Sequence, residues 1–119
     1  MDYLSPAKQL FELGVPVAAG TDAVPYNPLF CMWAMTTRRE RLTGRVMGEG
    51  GIASNEVALR LLTRGGAYLS FEENEKGQLV PGHHADIAVL SGDPLATKGD
   101  ALRDLSCRAT MVGGRWVHQ

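Results

Sequence analysis

A carboxylate set directly behind a short apolar run is where this chain could do chemistry. Gly14-Val15-Pro16-Val17-Ala18-Ala19-Gly20-Thr21-Asp22 reads as a small buried strand that ends in an acid. In α/β proteins, and in barrels above all, the carboxyl ends of strands collect reactive groups, so Asp22 stands where it could take a proton or hold a cation. Asp also starts turns by bonding its side chain to nearby backbone, and position alone leaves both readings open. Asn27 follows on the same loop. It could touch a substrate, or simply form a turn ahead of Pro28.

Other residues invite chemistry more weakly. His83-His84 beside Asp86 suggests a metal site, yet neighbouring residues on an extended chain point to opposite faces and do not converge on one ion, which favours a structural or solvent-facing role. His118 has no acid or thiol beside it. Arg38, Arg39 and Arg41 could grip an anion, and a basic helix end satisfied by solvent and the helix dipole explains them equally. Cys31 and Cys107 form no CxxC pair, so they read as reduced, packed thiols rather than zinc ligands or a disulfide. Nothing beside Cys31 marks it as a nucleophile. Gly48-Glu49-Gly50-Gly51 lacks the strand before and the helix after that a phosphate loop needs.

Stepping outward, Ser5-Pro6 opens a first helix carrying Leu10, Phe11 and Leu13, and Gly14 ends it. Val15 to Ala19 follows as the strand, with Pro16 confined to its start or to an unpaired position. Leu29, Met32, Trp33 and Thr36 recur at helical spacing in a second helix that runs to the basic Arg38-Arg39-Glu40-Arg41 end. Ser54 caps a third helix with Val57, Ala58, Leu61 and Leu62 as its apolar stripe, and Gly65-Gly66 interrupts it. Glu72 to Gly77 is a solvated acidic loop. Beyond it the period changes: Leu79-Val80, Ile87 to Leu90, Ala109 to Val112 and Trp116-Val117 read as strands separated by Pro-Gly, Gly-Asp-Pro and Gly-Gly turns. The clearest hairpin is the one turning on Gly113-Gly114.

At 119 residues the chain is the size of one ordinary domain. With 12 Lys+Arg against 13 Asp+Glu, it presents no strongly basic surface, which argues against a nucleic-acid partner. No apolar segment approaches a bilayer span and the start resembles no signal peptide, so the expectation is a cytoplasmic protein with no membrane partner.

Taken in order, several motifs resemble one family. They are Gly20-Thr21-Asp22, Asn27-Pro28-Leu29, Thr37-Arg38-Arg39, Ala58-Leu59-Arg60-Leu61-Leu62-Thr63 with Ala67-Tyr68, Gly77-Gln78-Leu79-Val80-Pro81-Gly82 leading into Ala85-Asp86-Ile87-Ala88-Val89-Leu90, and Val112-Gly113-Gly114-Arg115-Trp116-Val117. Together they resemble the carboxyl-terminal part of a metal-dependent amidohydrolase, in the amidohydrolase 3 branch that includes N-substituted formamide deformylases. The likeness covers essentially the whole chain.

The resemblance implies an α/β fold class: the last β/α unit of a (β/α)8 barrel over residues 1–70, and over 71–119 the carboxyl-terminal strands of the small amidohydrolase β-sandwich domain. It implies that Asp22 ends the eighth strand and is both a ligand to a divalent metal, zinc first among candidates, and the general base toward the attacking water. The family's His-x-His and other metal ligands have no counterpart in these residues, so the expectation is that this chain alone binds no metal and turns over no substrate. Two readings follow. In one, the chain is a carboxyl-terminal fragment of an enzyme that hydrolyses non-peptide carbon–nitrogen bonds in small amide-type substrates. In the other, it is a stand-alone, non-catalytic oligomerisation or interaction module derived from such an enzyme. A barrel strand without neighbours exposes ladder groups and apolar faces, so either reading expects a homo-oligomer or a complementing amino-terminal chain.

Overall fold

A computed structural model describes residues 6–22 and 25–119. Helix α1 spans Ala7–Glu12 behind Pro6, and Gly14 at φ +74 turns the chain out of it, a backbone state that costs glycine nothing. Helix α2 spans Pro28–Thr37. Its start is chemically determined: Asn27 Oδ1 accepts from the Leu29 and Phe30 amides at 2.9 and 3.4 Å, and proline takes a position whose missing N–H is no loss.

The expected continuation of α2 through Arg41 does not form. The helix ends at Thr37, where the Thr36 and Thr37 hydroxyls fold back onto the Met32 and Trp33 carbonyls and Arg38 adopts a left-handed φ of 56. Glu40 then gathers the Leu42 amide, the Thr43 amide and the Thr43 hydroxyl at 2.6–2.7 Å. That local turn wins over a helix, and Arg39 pairs with Val46 in an antiparallel bridge. Arg38 therefore caps the end of α2, and Arg39 and Arg41 lie in a hairpin-like loop beyond it.

Helix α3 spans Asn55–Leu62, with Ser54 Oγ accepting from the Val57 amide at 3.2 Å and Glu56 paired to Arg60. The interruption comes at Thr63 and not at the glycines; Gly65 and Gly66 lie inside α4, Arg64–Leu69. Leu29, Met32 and Trp33 from α2, Ala58 and Leu61 from α3, Ile52 from the intervening loop and Leu102 form one buried cluster. Leu102 belongs to a 3-10 turn over Gly99–Leu102. Phe71, just past α4, is held at φ +59 and is 91% exposed.

The segment from Val15 to Ala19 was expected as a strand. It runs instead without a ladder partner among the described residues, its Val17 and Ala19 packed on the buried cluster and the Ala19 amide donating to the Leu61 carbonyl at 3.0 Å. A strand exists only by pairing, and none of these elements lies beside it to pair. Leu79-Val80 likewise is not a strand. Pro81-Gly82 bends the chain immediately after it, and the His84 amide returns to the Glu75 carbonyl at 2.7 Å, leaving no run long enough to pair.

Three strands do form: β1 (Ile87–Leu90), β2 (Cys107–Val112) and β3 (Arg115–His118), in the antiparallel order β1-β2-β3. Ile87 faces Met111 and Met111 faces Trp116 in register. Gly113 and Gly114, at φ 55 and 78, make the tight turn whose twist suits a hairpin. Asp86 Oδ1 accepts from the Gly113 amide at 2.7 Å, and the Gly114 amide donates to the Ala85 carbonyl, so the residues ahead of β1 latch the far hairpin. Among the described residues no helix is long and apolar enough to cross a membrane.

Candidate functional site around Asp22

The chain leading to Asp22 is held from two sides. The Ala19 amide is bonded to α3, and the Gly20 carbonyl accepts a hydrogen bond from the Cys31 thiol on α2, Sγ to O 3.4 Å. Asp22 itself is exposed and sits at φ 55, a left-handed state that Asp tolerates better than most residues. Its carboxylate makes no hydrogen bond with another described residue. The residue thus turns the chain through its backbone and leaves its side chain open.

Asn27 is committed on one side only. Its oxygen caps α2, as above, while its Nδ2 keeps its donors for another group. Cys31 is half-buried, and burial pushes its thiol above the ordinary cysteine range, which keeps the S–H in place as a donor. Sequence reasoning missed this thiol's contact. No local signal points to it, because the partner carbonyl lies on a different element.

His84 Nε2 lies 4.0 Å from Glu75 Oε2, and Asp86 is spent on the hairpin amide. His83 has a buried Nδ1 without a partner. Arg38 bonds the Met47 carbonyl at 2.9 Å, and Arg39 reaches toward Asp100 at 4.0 Å. Arg41 is exposed on the loop, as is His118 at the end of β3, and Cys107 is exposed at the start of β2.

These donors do not by themselves fit a divalent ion. Catalytic zinc usually takes about three protein ligands, and among the described residues no three of His, Cys, Asp or Glu come together as such a set. Two grooves flank α3 and α4. One is walled by Phe11, Val15, Val17, Arg64 and Tyr68, the other by Leu59, Ala67, Leu79, Ile87 and Leu90, and Asp22 lines neither.

Comparison with known proteins matches the sequence to longer proteins. The chain is 30% identical over 116 residues to the amidohydrolase YtcJ of Bacillus subtilis (strain 168), covering 94% of this chain and 22% of that protein. It is 29% identical over 113 residues to an N-substituted formamide deformylase of Arthrobacter pascens, covering 93% of this chain and 21% of that protein. The chain therefore spans about a fifth of the length of these relatives. A family model described as the amidohydrolase family matches residues 1–118, and on that match the chain belongs to the amidohydrolase family.

Proposed function

We propose that this chain forms the carboxyl-terminal section of a metal-dependent amidohydrolase that hydrolyses non-peptide carbon–nitrogen bonds in small amide-type substrates, and that the section does not turn over alone. The observation that carries this is the family match along nearly the whole chain, together with an exposed Asp22 and no gathering of three or more metal-ligating side chains among the described residues. In this reading residues 1–70 belong to the closing part of a (β/α)8 barrel and residues 71–119 to its small β-sandwich. Asp22 is the acid this section contributes, and Asn27 offers its free Nδ2 to the substrate.

The test is to follow the reading frame upstream, express the product with this chain in place, and assay it on N-substituted formamides and related amides. Hydrolysis is expected from that product and not from the 119-residue chain. Asp22→Asn suits the left-handed backbone and should lower kcat by about 10²- to 10⁴-fold, the range for losing a general base. Asn27→Asp keeps the helix cap and removes the amide donor, so it should raise KM with little change in melting temperature. Activity that survives Asp22→Asn would overturn the assignment.

A second reading is supported by the apolar side chains left in solvent: Phe71, Leu13, Leu69 and Leu79 are all well exposed. We infer that another polypeptide covers them, either a second copy or an amino-terminal chain. As a stand-alone interaction module, the chain would associate in solution and be indifferent to Asp22→Asn. A monomer at high concentration would exclude that role.

A further inference from the structure

We propose that Cys31 is a positioning residue for Asp22, its thiol acting as the hydrogen-bond donor that sets the backbone carrying the acid. The inference rests on the reading of Asp22 as the site acid and extends it to a residue that no sequence signal marks. Cys31 lies in α2, whose neighbours Met32 and Trp33 are fully buried, so its own backbone is anchored in the cluster that holds the molecule together. From that anchor Sγ reaches the Gly20 carbonyl at 3.4 Å.

Gly20 needs such a restraint. It carries no side chain, a Cβ built there would meet nothing within 4 Å, and it is exposed. Without a partner its backbone would be the freest point in the run toward the acid. The Ala19 amide is bonded to Leu61 on one side of it and the Gly20 carbonyl to Cys31 on the other. The Ala18–Ala19 and Gly20–Thr21 peptide planes, which bracket the Ala19–Gly20 unit, are therefore each tethered. Between them and the Asp22 side chain remain only the torsions of Thr21 and the φ of Asp22, which rests in a left-handed well. Burial supports the same arrangement by keeping the thiol protonated, since a thiolate could not donate to a carbonyl.

The experiment is solution NMR on the isotopically labelled chain and its Cys31→Ala and Cys31→Ser variants, read at the Gly20 carbonyl carbon and at the Asp22 amide-to-Hα coupling. The Gly20 carbonyl signal is expected to shift in Cys31→Ala, with the Asp22 coupling moving toward a conformationally averaged value. Both should return toward their original positions in Cys31→Ser, which restores a donor. Unchanged Gly20 and Asp22 signals in Cys31→Ala would overturn the proposal, and so would equal disturbance in both variants, because the sulfur would then be acting through packing alone. If Cys31→Ala does not fold, Cys31→Ser decides: retained signals support the donor role and displaced ones overturn it. None of these readouts uses catalysis. If Asp22→Asn leaves hydrolysis intact while the NMR result holds, the site assignment fails and the positioning contact stands.

Discussion

The carbonyl oxygen of Val17 occupies the space where a side chain on Gly65 would begin. A Cβ built on Gly65 would lie 2.5 Å from that oxygen and 2.9 Å from the Ala18 Cα, both backbone atoms that cannot swing aside. The adjoining Gly66 sits in the same helix with nothing within 4 Å and no positive φ. Two neighbouring glycines thus have opposite reasons to be present.

Substitution by alanine should separate them. Gly65→Ala is expected to destabilise the chain by about 1–3 kcal/mol, the usual cost of overpacking, and to displace the run leading to Asp22. Gly66→Ala should instead stabilise it by about 0.5–1 kcal/mol, because alanine favours a helix and loses less backbone freedom on folding. Urea unfolding of the two variants checks both signs. Equal effects would mean that α4 does not press on residues 17–18.

The second test concerns how the 3-10 turn is fastened to α2. Trp33 is 1% exposed and its indole N–H donates to Asp100 Oδ1 at 2.9 Å, while the Arg103 guanidinium lies 4.7 Å above the indole ring. Asp100→Ala leaves the indole donor without its acceptor, and the expected loss is about 1 kcal/mol, at the low end for a buried donor because Asp100 itself faces water. Asp100→Asn keeps an oxygen in reach and should cost less than half as much. The Arg39 contact at 4.0 Å is exposed and contributes little. Trp33 fluorescence during denaturation reports both variants.

Glu40 sets an acid limit on the loop after α2. Hydrogen bonds from the Leu42 amide first, then from the Thr43 hydroxyl and the Thr43 amide, hold its carboxyl below the usual carboxylate range. A group depressed on folding contributes stability above its unfolded value, near 4.3 for glutamate, and that contribution is lost as the pH falls through the lower folded value. The Leu42 and Thr43 amide resonances should therefore titrate together below about pH 4.3. In Glu40→Gln that transition should vanish. A transition that persists in Glu40→Gln would assign it to another group.

Much of this architecture was legible wherever the signal was local. The spacing of Leu29, Met32, Trp33 and Thr36 announced α2, Ser54 the start of α3, and Gly113-Gly114 the hairpin, because periodicity, cap and turn chemistry act within a few residues, whereas Asn27 read as a turn and caps α2. Most of what escaped depended on partners distant along the chain. Val15 to Ala19 carries a strand composition but lacks a neighbour to pair with; one local signal also escaped, since the Arg38 to Arg41 stretch leaves the helix where the Glu40 carboxylate collects the Leu42 and Thr43 amides into a turn. At the candidate site, residue type and place nominate Asp22 and Asn27. The thiol bond from Cys31 to Gly20 has no such signal, since it joins two elements that only the fold brings together.

Leu102 is wholly enclosed, yet every other member of its buried cluster lies at or before Leu61. The helical part therefore closes over a side chain delivered from well beyond α4. A version shortened ahead of that leucine would leave a leucine-sized hole in the cluster that contains Trp33, a defect of the kind that costs about 2–5 kcal/mol. Trimming the sheet away to obtain a smaller, better-behaved helical piece would thus remove the stopper from the vessel it was meant to isolate.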